Sequence, residues 1–249
     1  MNYFYLRNII MKKQQIYQET GELSDAEVMK SITIDCVIFS FDNESLEVLL
    51  VEHAHGIRQG EWGLPGGWIL KDEDIDDAAQ RLLFKLTSLK NIYLEQLKAF
   101  GAPDRFPLGR VITIGYYALI KKESYKLKAG LTASNVKWFK IKDIPDLIYD
   151  HNEILNYSLE HLRKKVRQAP IGFNLLPEKF TLLQLMQLYE EILGVEMDKP
   201  NFRRKFLKMK LLKDLDEKQT DVSHRAAKLY RFDHEIYKKL TRKGFNFEF

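Results

Sequence analysis

The sequence contains one cysteine in 249 residues. A single thiol excludes an intramolecular disulfide framework and suits a reducing compartment. Cys36 stands inside the apolar run "ITIDCVIFSF", where a plain core side chain is expected; a nucleophile would want a histidine partner and a turn. Nowhere do about 18 apolar residues run uninterrupted, so no membrane-spanning helix is expected. The opening "MNYFYLRNIIMKKQQIYQETGE" is polar after Met11 and lacks a small-residue cleavage site, unlike a secretion signal. The expected location is cytoplasmic. Internal repeats and low-complexity tracts are also missing.

What is present is a globular composition, 45% apolar and 30% charged, enough for one large domain or two ordinary ones. The net charge of +4 is unevenly placed. From Val166 onward there are 17 Lys and Arg against 12 Asp and Glu, a net of +5, which leaves −1 for the rest. A neutral body with a basic final third points to a polyanion partner for that third.

Along the chain, "ITIDCVIFSF" and "LEVLLVEH" predict a hairpin turned by "DNES". "QGEWGLPGGWI" is a Gly/Pro-rich turn region. "DIDDAAQRLLFKL" predicts a helix, with Ile75, Ala78, Ala79, Leu82, Leu83 and Leu86 at helical spacing and acidic residues at its start. "NIYLEQLKAFGA" and "VITIGYYALI" predict strands joined by the loop "PDRFPLGR". "VKWFKIKDIP" predicts another strand, with Trp138 in the core, and "NEILNYSLEHLRKKVRQ" another helix. Mixed strands with two helices point to an α/β/α sandwich over residues 25 to 165, after a lead-in over 1 to 24.

Residues 166 to 176, which take in all but the last proline of "APIGFNLLP", are expected to be a linker. A different unit follows over 177 to 249. Thr181 and Gln184 make a capping-box pattern, Gly194 a stop, and Asp198 with Pro200 the start of a second helix. The segment "KDLDEKQTDVSHRAAKLYRFD" predicts a two-stranded ribbon. Helix, turn, helix, ribbon is the winged helix-turn-helix order.

In that second helix seven Lys and Arg fall between Lys199 and Lys213 with no acidic residue among them. Phe202, Phe206 and Met209 share the inward face, so Asn201, Arg203, Arg204, Lys205 and Lys208 are expected outside. An amide and several cations on one exposed face match what a DNA major groove accepts. On the ribbon, His224, Arg225, Lys228 and Tyr230 could reach flanking phosphates. A merely solvated face is the alternative.

Trp62 and Trp68 flank "LPGG", where a ring could stack on a sugar or base or simply pack beneath the loop. Asp104, Arg105 and Arg110 could hydrogen-bond hydroxyls or phosphates, or form a surface ion-pair cluster. With Trp62 and Trp68 they are the candidate effector-binding residues. His53 and His55 have no evident third ligand and are not expected to hold a metal.

The stretch "LPGGWILKDEDIDDAAQRLLFKLTSL" resembles the Nudix signature, with Gly67, Glu73 and Arg81 in place as its structural remnant. Three further glutamates of the signature would coordinate the cations that activate water. Here those positions hold Leu82, Lys85 and Leu86. Unless Asp72, Asp74 or Glu95 assemble another site, no metal, cofactor or catalytic residue is expected. Taken with "GAPDRFPLGRVITIGYYAL" and "FTLLQLMQLYEEILGVEMDKPNFRRKFLKM", the chain from Ser31 to Phe232 is similar to the Nudix-related transcriptional regulators.

That resemblance implies an α+β chain: a Nudix-like sandwich that senses a small molecule, followed by a winged helix that binds double-stranded operator DNA as a homodimer. The expectation is a repressor or activator, not an enzyme, that responds to a sugar such as L-arabinose, because a neutral sugar needs no cation. An ADP-ribose-sensing regulator of NAD metabolism is the alternative. Effector binding would change the spacing of two winged helices relative to the ~34 Å between successive major-groove faces. An active hydrolase and an RNA-binding or assembly module are the rivals.

Overall fold

The computed structural model describes residues 28–56, 58–130, 132–220 and 226–249. The lead-in over 1–24, and His224 and Arg225 of the ribbon, lie outside them. The chain divides into two compact units. One comprises the chain up to Phe39 together with Glu47–Ser158; the other comprises Ser40–Leu46 and Leu159–Phe249.

In the first unit, β1 (Val28–Phe41) and β2 (Leu46–His53) are hydrogen-bonded neighbours. The remaining strands are β3 (Trp62–Gly63), β4 (Gly66–Leu70), β5 (Glu95–Phe100), β6 (Ile112–Leu119) and β7 (Ala133–Lys140). Among the described residues they form one mixed sheet in the order β3-β2-β1-β6-β5, with β4 also on β1 and β7 on β2. β1 runs parallel to β6 and antiparallel to β4.

The Gly/Pro-rich stretch expected as a turn region therefore contains two strands. Gly66 pairs with Asp35 across β1 and β4, and a Cβ on Gly66 would lie 2.1 Å from an Asp35 carboxylate oxygen. Glycine is required there by close approach within a strand, not by a turn.

Helix α1 (Ile75–Thr87) is capped by Asp74, whose side chain accepts the Asp76 N–H. Ala78, Ala79, Leu82 and Leu83 pack on Ile34, Cys36 and Ile38, the even-numbered face of β1, with Trp138 at the edge. Fully burying each leucine or isoleucine of this set stabilises by about 1.5–3 kcal/mol. The odd-numbered face presents Asp35, Val37 and Phe39, all buried. His151, the first residue of α2 (His151–Gln168), reaches Asp35 on that face. Helices on both faces of the sheet give the expected layered Nudix fold.

The second unit is a winged helix with an aromatic core. The stretch expected as a linker folds instead as a 3-10 helix, Pro170–Leu175, with Phe173 and Leu175 buried. Phe173 stacks on Phe232 at 4.3 Å, and that burial is why the segment is ordered. α3 (Leu182–Leu193) has both hydrogen bonds of the Thr181–Gln184 capping box and stops at Gly194. α4 (Lys199–Met209) starts at Asp198, whose side chain accepts the Asn201 N–H. β8 (Leu212–Lys218) pairs with β9 (Lys228–Phe232) as the expected ribbon. One further helix, α5 (His234–Thr241), follows.

Candidate functional site

Three stretches of side chains carry the site chemistry. The first is the remnant at the start of α1. Arg81 Nε donates to Glu73 Oε2 at 2.7 Å, and its Nη2 donates to the Trp68 carbonyl at 2.9 Å. Glu73 Oε1 accepts the Leu70 N–H at 2.7 Å. The pair thus fastens the Trp68–Glu73 segment to the helix. Burial pushes the Glu73 carboxyl up, but the Arg81 and Leu70 hydrogen bonds outweigh it and hold the group below the ordinary carboxylate value.

One turn on, the chemistry changes. Leu82 and Leu86 are 7% and 8% exposed and Lys85 faces solvent. Leu82 belongs to the main core, and a Cβ on Gly67 would meet its Cδ2 at 2.8 Å. Leu86 packs with Val51 and Ala133, with Ala129 and Val136 against them. The Lys128–Gly130 loop closes on this end of α1: Lys128 and Gly130 N–H groups donate to the Thr87 and Leu86 carbonyls, each at 3.1 Å. A Cβ on Gly130 would lie 1.6 Å from the Lys85 carbonyl oxygen, so only glycine permits the contact. Hydrocarbon and an ammonium do not fit a divalent cation, which takes several oxygen ligands. Among the described residues no group of three His, Cys, Asp or Glu could hold a metal ion.

The second stretch is a buried ionic group. Arg105 was expected on an open loop beside Asp104 and Arg110; the structure corrects this. Asp104 and Arg110 are exposed, but Arg105 is 8% exposed. Its Nε and Nη2 donate to the two Asp150 oxygens at 2.8 and 2.7 Å, and Nη2 lies 3.4 Å from Asp35 Oδ2. Asp35 is buried and Asp150 half-buried; two carboxylates so placed require a cation, and the forked guanidinium serves both.

His151 completes the group. Its Nδ1 accepts the Leu64 N–H at 2.9 Å, so the neutral ring carries its proton on Nε2, 3.5 Å from Asp35 Oδ1. Burial lowers the His151 pKa despite the nearby carboxylates, and burial raises that of Asp35 against His151 and Arg105. At the end of β2, His53 is pushed down to about 4 by burial and by His151, with Glu61 opposing.

Beside this group runs an aromatic row. Phe106 meets Trp68 edge-on at 6.3 Å and Tyr149 at 5.0 Å, and the Arg58 guanidinium stands 5.4 Å from the Tyr149 ring centroid. Tyr149 has φ of 53°, a conformation bulky residues seldom adopt. Trp62 stands apart from the row, edge-on to Phe139 at 4.7 Å. Sequence reasoning missed Asp35, Phe106, Tyr149, Asp150 and His151. One signal was available: Asp35 is a carboxylate inside an apolar strand.

The third stretch is α4. Phe202 and Phe206 are buried, Met209 is half-buried, and Asn201, Arg203, Arg204, Lys205 and Lys208 are all exposed. Arg204 donates to the Asn201 side-chain oxygen. On the ribbon, Lys228 is exposed and paired with Asp214 at 2.9 Å. Tyr230 requires a correction. It is 4% exposed, and its backbone exchanges two hydrogen bonds with Phe180. Strand alternation turns Tyr230 and Phe232 inward and Arg231 out, so Tyr230 cannot reach a phosphate.

The NUDIX domain model matches residues 29–162, and that of the NrtR DNA-binding winged helix domain matches residues 172–232. The ADPR responsive transcriptional repressor NtrR of Acinetobacter baylyi is 31% identical over 210 residues, 83% of each chain. The chain belongs to the Nudix-related transcriptional regulators. Within this family, Shewanella oneidensis NrtR complexed with a 27mer DNA aligns with a TM-score of 0.67 at 31% identity, covering 81% of this chain and 93% of that one. The NUDIX domain of the same protein complexed with ADP ribose gives 0.50 at 30% identity, covering 59% and 97%. The expected sugar effector and link to carbohydrate metabolism find no support in these relatives. Among the described residues no helix is long and apolar enough to cross a membrane.

Proposed function

We propose that this chain is a cytoplasmic transcriptional repressor whose Nudix unit senses ADP-ribose and whose winged helix holds operator DNA as part of a homodimer. The observation that carries the DNA-binding half is α4: five polar or cationic side chains exposed on the second helix of a winged helix, with two phenylalanines anchoring its other face. Asn201, Arg203, Arg204, Lys205 and Lys208 form the reading face, with Lys228 flanking it. The effector half is supported by relatives named for ADP-ribose. Trp68, in the aromatic row, and the exposed Asp104 and Arg110 are its candidate contacts, with Arg105 as scaffold.

The Nudix unit is proposed to bind without hydrolysis, because Leu82, Lys85 and Leu86 offer no oxygen ligands at the end of α1. Release of DNA is then a population shift, in which ADP-ribose favours the state that binds operator weakly.

The test is a thermal-shift screen with ADP-ribose and L-arabinose, paired with a chromatographic assay for AMP and ribose 5-phosphate formed from ADP-ribose in Mg²⁺. ADP-ribose should raise the melting temperature, as any ligand selective for the folded chain does, and arabinose should not. A shift with arabinose alone, or metal-dependent turnover of ADP-ribose, would sink the reading.

A further inference from the structure

Residues 233–249 lie beyond the matched winged-helix region, which ends at 232, yet Phe247 and Phe249 among them pack on α4. After α5 the chain runs "GFNFEF", with phenylalanines at every second position. Phe247 is 3% exposed. The Phe249 N–H donates to the Arg167 carbonyl at 2.9 Å, which ties this segment to the end of α2. The Phe249 ring lies 4.4 Å from Tyr189, 5.3 Å from Phe206 and 5.6 Å from Phe202, centroid to centroid. It is therefore fixed by aromatic neighbours on two helices. The Lys205 ammonium stands 4.7 Å from the centroid of that ring, within cation–π range.

We propose that Phe249 is a positioning residue for DNA binding: its ring holds the Lys205 ammonium at the edge of the α4 reading face. The proposal rests on the reading of α4 given above. Lys205 is four residues after Asn201 and three before Lys208, so the three share one helical row. A lysine with four rotatable carbons loses rotamer freedom when it meets a phosphate. A ring that restrains it beforehand lowers that loss, and the cation–π contact leaves ammonium N–H donors for the phosphate.

The test uses the full chain and a duplex selected by the unaltered protein from a random pool, with affinities from fluorescence anisotropy at fixed salt. F249L keeps apolar bulk without the aromatic face. It should bind about two- to five-fold more weakly, while F249W should bind like the unaltered chain. In a K205A background, F249L should cause no further loss. Equal weakening in both backgrounds means Phe249 acts only on the fold, and overturns the proposal; so does tighter binding by F249L, because the ring would then withhold Lys205.

A readout that needs no variant is the ring-current shift of the Lys205 Cε protons. An upfield displacement is expected, and a random-coil position overturns the proposal. If the unaltered chain selects no duplex, or K205A binds undiminished, the reading of α4 itself fails, a result distinct from any of these.

Discussion

Arg105 holds two carboxylates away from water, and that makes it the most sensitive single position in the first unit. With the guanidinium removed, Asp35 and Asp150 would face each other across a buried space without a counter-charge. Breaking a buried pair by deleting one partner costs about 3–5 kcal/mol. Arg105→Met should lower the unfolding free energy by that order in urea titration, and Arg105→Lys should recover only part, since a point charge cannot serve both oxygens of Asp150 at once.

His53 sets a pH dependence whose sign is fixed. Its folded value of about 4 lies below the ordinary 6.5, so the unfolded chain binds the proton first. Its stabilising contribution is complete above about 6.5 and is lost as pH falls towards 4. His53→Gln should therefore shrink the difference in melting temperature between about pH 7 and about pH 5. An unchanged difference would show that the acid sensitivity lies elsewhere. None of this was legible beforehand: a loop arginine looks alike in sequence whether it ends in solvent or between carboxylates 45 and 70 residues away.

Among the elements, α1 is the one whose chemistry was most open in the sequence and whose surroundings were least so. The helical spacing and its acidic start were visible, as were the missing oxygen ligands. The sealing of its last turn by the Lys128–Gly130 loop was not, because that contact joins segments 40 residues apart. It follows that restoring the signature glutamates should not restore a metal site. Leu82→Glu and Leu86→Glu would place carboxylates in packed hydrocarbon, so both should lower the melting temperature and neither should gain Mg²⁺-dependent hydrolysis. Turnover by the double variant would contradict this.

Elements set by local rules were legible: the capping box of α3, the Asp198 cap of α4, the hairpin turn, the ribbon. β4 was not, because its glycines signal a turn unless the Asp35 side chain packed against it is known. The proline-bounded 3-10 helix was hidden for a similar reason, since only Phe232, far along the chain, makes Phe173 a core residue.

Over the whole molecule, the two-unit order and the family could be read from the sequence, whereas the effector could not. A sugar and a nucleotide diphosphate make similar demands on tryptophans, carboxylates and arginines, and composition does not separate them. The related proteins shift the reading to ADP-ribose.

β1 begins in one unit and ends in the other, and at its middle sits the chain's one cysteine, fully enclosed, with burial pushing its pKa well up. A maleimide added to the native protein thus has a single target that it can modify only after the central strand leaves the sheet. The alkylation rate should track the opening of that strand, rise with urea, and slow when a molecule occupies the first unit, so the lone thiol makes an unlabelled chain its own reporter of occupancy.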